Sequence, residues 1–234
     1  MVGKVLIDGD IIAYRASFAA QDKEEREAWN VADQLFAYIF EQTIDMPFPS
    51  QEDYHVYLTG SNNFRHDVAK SAPYKGNRKG EKPIHLHSVR EHIKEEHPTT
   101  VAEGEEADDL IAIEATRLGP ETIIASIDKD FKQVPCRHYN FLRDTWDEVD
   151  EWEGTKFFYE QILTGDSVDN IIGLFRVGPK TAQKMLMDCQ TEEDLWETCV
   201  KAYDGDTDRV IENARLLWLR RYEGQMWEPP NAKD

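Results

Sequence analysis

Two short, nearly continuous apolar runs, KVLID (4–8) and TIIASI (122–127), each end at an aspartate, Asp8 in the first and Asp128 just beyond the second. Runs of this length and character are expected of strands buried on both faces. A third run lies at 54–58 and a fourth at 139–142. Amphipathic stretches separate them. From Glu24 to Ile44, apolar residues fall at Ala28, Val31, Ala32, Leu35, Phe36, Ile39, Phe40 and Ile44. That stripe predicts a helix, stopped by Pro47 and Pro49. Further helices are predicted at 11–20, 86–97 and 105–118. Strands alternating with helices predict an α/β fold with a mostly parallel sheet. In such sheets ligands bind beyond the carboxyl ends of the strands, which is where Asp8 and Asp128 stand.

After about residue 155 the pattern turns helical, with candidates at 156–164, 179–188, 191–203 and 206–222. This predicts an α/β core over 1–152 and a helical segment over 153–234. The 234 residues contain no run long and apolar enough for a transmembrane helix, and the first residues offer no signal-peptide core. Cys136, Cys189 and Cys199 are odd in number and lack Cys-x-x-Cys spacing. A reducing compartment is expected, without disulfides or structural zinc. His85, His87 and His92 read as surface residues, and Trp196, Trp218 and Trp227 as packing.

The acids come in groups. Asp10 follows Asp8, Asp130 follows Asp128, and the run Glu103–Asp109 enters a helix with several carboxylates on one face. Asp166 and Asp169 form a later pair. A single acid in a helix's first turn is ordinarily a cap. Five or more at one sheet edge repel by several kcal/mol unless cations offset them. Hard divalent ions with oxygen ligands do so, and paired carboxylate-held ions suit phosphodiester hydrolysis.

The net charge of −19 reads at first as unsuited to nucleic acid, but it is unevenly spread. Phe64–Pro83 holds Arg65, Lys70, Lys75, Arg78, Lys79 and Lys82 against Asp67 and Glu81, giving +4 there and −23 elsewhere. With Tyr74 in their midst, these residues suit a phosphate backbone and a stacked base. A second segment, Gly173–Ala182, places Gly178 and Pro179 before a helix with Lys180 and Lys184 near its start. Its free backbone N–H groups suit phosphate.

The motifs LIDGD (6–10), YKGNR (74–78), EGEEADDLIA (103–112), SIDKDF (126–131), GDSVDNIIG (165–173) and VGPKTAQKML (177–186) occur in this order. In this the chain resembles the 5′-nuclease family of flap endonucleases, phage 5′–3′ exonucleases and the 5′-nuclease domains of bacterial DNA polymerase I. The resemblance runs from about residue 4 to 187. It implies a PIN-like, mostly parallel α/β sheet flanked by helices, with a helix–three-turn–helix DNA-binding segment at about 160–190. It implies metal-dependent 5′–3′ exonuclease or flap endonuclease action on DNA with 5′ ends, nicks or flaps, and admits RNA primers in RNA–DNA hybrids. Two Mg²⁺ ions are implied, with Mn²⁺ as a substitute and K⁺ at the hairpin turn. By motif position, Asp8, Glu106, Asp108 and Asp109 resemble ligands of one ion. Asp128, Asp130, Asp166 and Asp169 resemble those of the other. Lys75 and Arg78 resemble the residues that act on the scissile phosphate. Arg65, Tyr74, Lys79, Arg176, Gly178, Lys180, Thr181 and Lys184 are the expected DNA contacts. A cytoplasmic location follows, that of the host if the chain is phage-encoded.

Two features depart from the family. Gly60 stands where an aspartate usually ends the second strand, leaving one carboxylate too few. The stretch from Arg78 to Glu103 is short, which favours an open clamp over a threaded arch. A catalytically weakened DNA-binding relative and a PIN-type ribonuclease are the alternative readings.

Overall fold

The structure is a computed structural model and describes residues 3–46 and 49–230. Val5–Asp8 (β1) leads directly into Gly9–Ala19 (α1), and Glu25–Ile44 (α2) follows. The α2 helix ends at Asp45, whose φ of 59° turns the chain out of the helix before the prolines are reached. Pro47 itself lies outside the described residues. Tyr54–Asn63 (β2), Arg65–Val68 (α3), Leu86–Glu96 (α4), Thr99–Gly104 (β3) and Ala107–Leu118 (α5) come next. Ile123–Ala125 (β4), Arg137–Asn140 (β5) and Thr145–Glu148 (β6) complete the main sheet. Its order is β3-β2-β1-β4-β5-β6, parallel throughout except for β6. The expected mostly parallel α/β sheet is therefore present.

The period-two alternation of the strands divides the core. Val5 and Ile7 face α1, α2 and α4, together with Val56, Leu58, Ile123 and Ala125. Leu6, Tyr57 and Ile124 face the other way, onto α5. Phe36 of α2 is 1% exposed; burying such a side chain contributes about 1.5–3 kcal/mol. Two strands of the main sheet escaped the sequence reading. Both β3 and β6 are sheet edges with mostly uncovered, polar side chains, so neither carries an apolar signature.

The remaining elements are Glu151–Thr164 (α6), the two-residue strands Gly165–Asp166 (β7) and Ile171–Ile172 (β8), Pro179–Met185 (α7), Glu192–Ala202 (α8) and Thr207–Leu217 (α9). They share a second core around Phe158, Tyr159, Ile162, Leu195 and Val210. The α6 helix starts five residues before the apolar pattern does, because Asp150 and Glu153 cap it reciprocally. The α9 helix stops at Leu217, short of 222. Side chains from the sheet core take over its last carbonyls: Arg65 donates to Leu216 and Trp218, and Gln133 to Leu217. Trp196, Trp218 and Trp227 pack around Phe158 and one another. The three cysteines are buried and unbridged. His92 stacks on Trp29, while His85 takes the Lys23 carbonyl. Among the described residues no helix is long and apolar enough to cross a membrane.

Candidate active site

The strand order reverses between β1 and β4, and at that switch point the sheet opens into a cleft of about 1110 Å³. Asp8 ends β1 and caps α1, accepting from the Ile11 N–H at 3.3 Å. Ser126, just past β4, ties the two strand ends together: its hydroxyl donates to Asp8 at 2.8 Å and accepts from the Asp128 N–H at 3.1 Å. Asp128 in turn caps the short 3-10 helix Lys129–Gln133. Glu106 and Asp108 arrive from the start of α5. Asp8, Asp10, Glu106, Asp108, Asp128, Asp130, Asp166 and Asp169 all line this one cleft.

The later acid pair reaches it through a docked hairpin. The 73–78 turn clasps the loop between β7 and β8 at three points. Lys75 N–H donates to the Asp169 carbonyl (2.8 Å), Asn77 to that of Ser167 (2.6 Å), and Asn170 back to that of Pro73 (2.9 Å). Lys75 holds φ of 54° to do so. Two distant basic and acidic motifs are thereby one structural unit.

The carboxylates are crowded. Burial, then the charges of Asp10 and Asp128, push the Asp8 carboxyl up to about 7. Burial, then Asp8, Glu106 and Asp128, hold that of Asp108 well above the usual range. Asp130 is pushed up to about 6 by burial and by Asp128. Asp128 is also raised, by the protein walls of the cleft although its side chain meets water there. Cations offset the rest. Lys75 bridges Glu106 and Asp169, and Arg78 pairs with Asp169 at 2.6 Å. Lys129 bridges Asp130 and Asp166 at 2.9 and 2.8 Å. Burial works to raise Asp166, but the hydrogen bond and charge of Lys129 leave it below the ordinary range. Among the described residues no three acidic, histidine or cysteine side chains are gathered tightly enough to hold an ion as they stand; the lysine bridges lie between them. The donor set is nonetheless all oxygen, and its surplus negative charge fits a hard divalent cation.

Three expected site residues have other roles. Asp109 faces away from the cleft and is fully buried, chelating Arg65, so it is no ligand. Arg65 is buried with it and cannot reach DNA. Tyr74 is buried and cannot stack a base; its hydroxyl donates to Glu106 and Asp169 at 3.0 and 2.9 Å. A burial-raised tyrosine that stays protonated is suited to hold both acids in place. Lys79, Arg176, Gly178, Lys180, Thr181 and Lys184 are exposed outside the cleft.

Sequence reasoning missed Arg90 and Lys129 and left Asp10 out of the site. A Cβ on Gly60 would run into the Ala102 carbonyl oxygen and the Glu103 carboxylate. A side chain there meets backbone, because the pairing of β2 with β3 loses regular register between Thr59 and Asn63. Asp10 comes instead from the first turn of α1 to Thr59, the residue of β2 next to Gly60. It accepts from the Thr59 N–H at 2.8 Å and pairs with Arg90, which also donates to the Thr59 carbonyl at 2.5 Å. The second aspartate of the LIDGD motif was the available signal. Arg90, inside an ordinary amphipathic helix, carried none.

This fold and this cleft define an α/β protein built to concentrate carboxylates and cations at the switch point of a parallel sheet. Residues 4–162 match the family described as 5′-3′ exonuclease, N-terminal resolvase-like domain. DNA polymerase I of Rhizobium leguminosarum is 39% identical over 101 residues, 38% of this chain and 10% of that protein. Flap endonuclease Xni of Shewanella piezotolerans is 33% identical over 135 residues, 50% of this chain and 53% of that protein. A structure of T5 5′-exonuclease with divalent zinc ions bound has the same fold, with a TM-score of 0.70 and 17% identity, over 92% of this chain and 88% of that one. The chain belongs to the 5′-3′ exonuclease family through its N-terminal resolvase-like domain. It spans about half, or less, of the length of the curated relatives named here.

Proposed function

We propose that the cleft hydrolyses DNA phosphodiester bonds near 5′ ends, at nicks or flaps. The observation that carries this is the convergence of Asp8, Asp108, Asp128 and Asp130, drawn from three separate stretches of chain, with their carboxyl groups raised toward neutrality by burial and one another. Asp8, Glu106 and Asp108 would hold one Mg²⁺ ion, and Asp128, Asp130, Asp166 and Asp169 a second, with Mn²⁺ as the substitute. The chemistry such ions would supply there is a water of lowered pKa and stabilisation of the leaving 3′-oxygen.

The chain's own residues do the rest. Lys75 and Arg78, now paired with Glu106 and Asp169, are placed to transfer to the phosphoryl oxygens and offset the charge that develops there. Tyr74 keeps Glu106 and Asp169 oriented. The exposed residues of 173–184, the hairpin turn with its K⁺ inside the proposed helix–three-turn–helix of about 160–190, meet duplex phosphates. Recognition is then of end structure rather than base sequence, and affinity falls steeply with salt. The buried free thiols accord with a cytoplasmic setting.

The test uses labelled 5′-flap, nicked and RNA–DNA hybrid substrates, with single-stranded RNA as the ribonuclease control. Asp128→Asn and Asp130→Asn are expected to lose cleavage while retaining fold and DNA binding. Full activity in either variant overturns the assignment of the second ion's ligands. Cleavage of single-stranded RNA alone points to a PIN-type ribonuclease instead.

A further inference from the structure

The loop between β8 and α7 contains two residues poorly matched to where they stand. Leu174 to Val177 form a turn closed by the Val177 N–H on the Leu174 carbonyl at 3.2 Å. Phe175 and Arg176 are its two central residues. Arg176 has φ of 62°, at the turn position where glycine or asparagine is favoured because a Cβ is strained. Phe175 is 85% exposed, more than any other large hydrophobic side chain among the described residues. The Arg176 guanidinium lies over its ring, 5.0 Å from the centroid.

This tip is displayed on a rigid base. Leu174 N–H donates to the Leu163 carbonyl at 2.8 Å, and the Ile172 carbonyl accepts from Arg209 at 2.7 Å and Asn213 at 3.0 Å. Leu174 and Val177 pack on the helical core beneath. Around the tip the charge is wholly positive in sequence: Arg176, Lys180 and Lys184 are exposed, and no acid occurs from Ile171 to Met187 in a chain of net charge −19. A flat apolar ring with a guanidinium stacked on it, in a segment whose only other charges are lysines, is complementary to bases between phosphates.

We propose that Phe175 is a wedge that inserts between base pairs of the substrate's duplex arm, with Arg176 and Lys180 on the flanking phosphates. This deepens the nuclease reading and rests on it. It adds a residue that unstacks the duplex at a fixed place, so that the arm is gripped at one register relative to the cleft.

The experiment titrates the full chain, with Ca²⁺ in place of Mg²⁺, against nicked duplexes carrying 2-aminopurine at successive positions of one arm. The wild type is expected to raise 2-aminopurine emission at one or two adjacent positions. Phe175→Ala should flatten that signal and weaken binding about tenfold, with an unchanged slope of log affinity against log salt. Phe175→Leu should keep most of the signal, and Arg176→Ala should lower the salt slope by about one. Equal binding and equal emission for wild type and Phe175→Ala overturn the wedge. So does a Phe175→Ala defect that appears only as a reduced salt slope, since the ring would then merely support Arg176. A wild type that binds no nicked duplex overturns the nuclease reading itself, and the wedge falls with it.

Discussion

Arg65 and Asp109 are joined by two hydrogen bonds, of 2.6 and 2.9 Å, in a place neither shares with solvent. Burial alone would raise the Asp109 carboxyl, yet the charge and hydrogen bonds of Arg65 hold it below the usual range. The pair is structural: it fixes the start of α5, one residue along from Asp108. Removing one partner leaves the other buried and uncompensated. Asp109→Asn and Arg65→Met are each expected to cost about 3–5 kcal/mol of stability. Asp108→Asn, by contrast, should abolish cleavage with little loss of stability. Urea denaturation of the three variants separates the roles.

Gly60→Asp looks from sequence like the repair that restores the missing carboxylate. Its Cβ would collide with backbone of β3, and its charge would stand beside Glu103. The variant is expected to be destabilised by about 1–3 kcal/mol and no more active at low Mg²⁺ than the parent. Gly60→Ala, carrying the same Cβ without charge, should share most of the stability loss. Thermal unfolding and flap cleavage measured side by side check both.

Asp10→Asn keeps an oxygen to accept the Thr59 N–H but discards a negative charge next to Asp8. Divalent-ion affinity, read by calorimetric titration with Mn²⁺, is expected to fall about 10–100-fold. An unchanged affinity would show that Asp10 serves only to hold Arg90 and the β2 backbone at Thr59.

His97 lies against Phe36, its ring centroid 3.9 Å away, and bonds the Tyr54 hydroxyl at 3.0 Å. Burial lowers its pKa to about 4. The unfolded chain, with histidine near 6.5, therefore binds more protons between those values. The stability that His97 contributes is complete above pH 6.5 and is lost as pH falls toward 4. The site carboxyls act in the opposite sense over the same window, being raised in the fold, so the difference between wild type and His97→Gln is the informative quantity. That difference in Tm should shrink as pH is lowered from 6.5 to 4.

The elements legible in the sequence were those whose side chains meet the core at regular intervals. The stripe from Ala28 to Ile44 marked α2, and KVLID marked β1. Edge strands β3 and β6 left no such trace because water, not the core, covers most of their side chains. In the site, residue type and motif order located Asp8, Asp108, Asp128 and Asp130 in one cleft. They could not tell an acid that faces the cleft from its neighbour that faces inward. Asp108 and Asp109 are adjacent, and a helix turns successive side chains about 100° apart, so only the packing of Arg65 decides. The bridging roles of Lys129 and Arg90 were hidden for a related reason, since the acids they reach across to, Asp166 and Asp10, lie 37 and 80 positions away.

Arg65 draws its other acceptors from 151 and 153 positions further along, the carbonyls of Leu216 and Trp218, while Asp109 also takes the Arg220 N–H and Arg220 holds Glu105. A protein cut just after α8 loses the carbonyls and the N–H that fasten the base of the cleft. Every carboxylate that lines the pocket would still be present, yet the pocket would be unlaced from beneath.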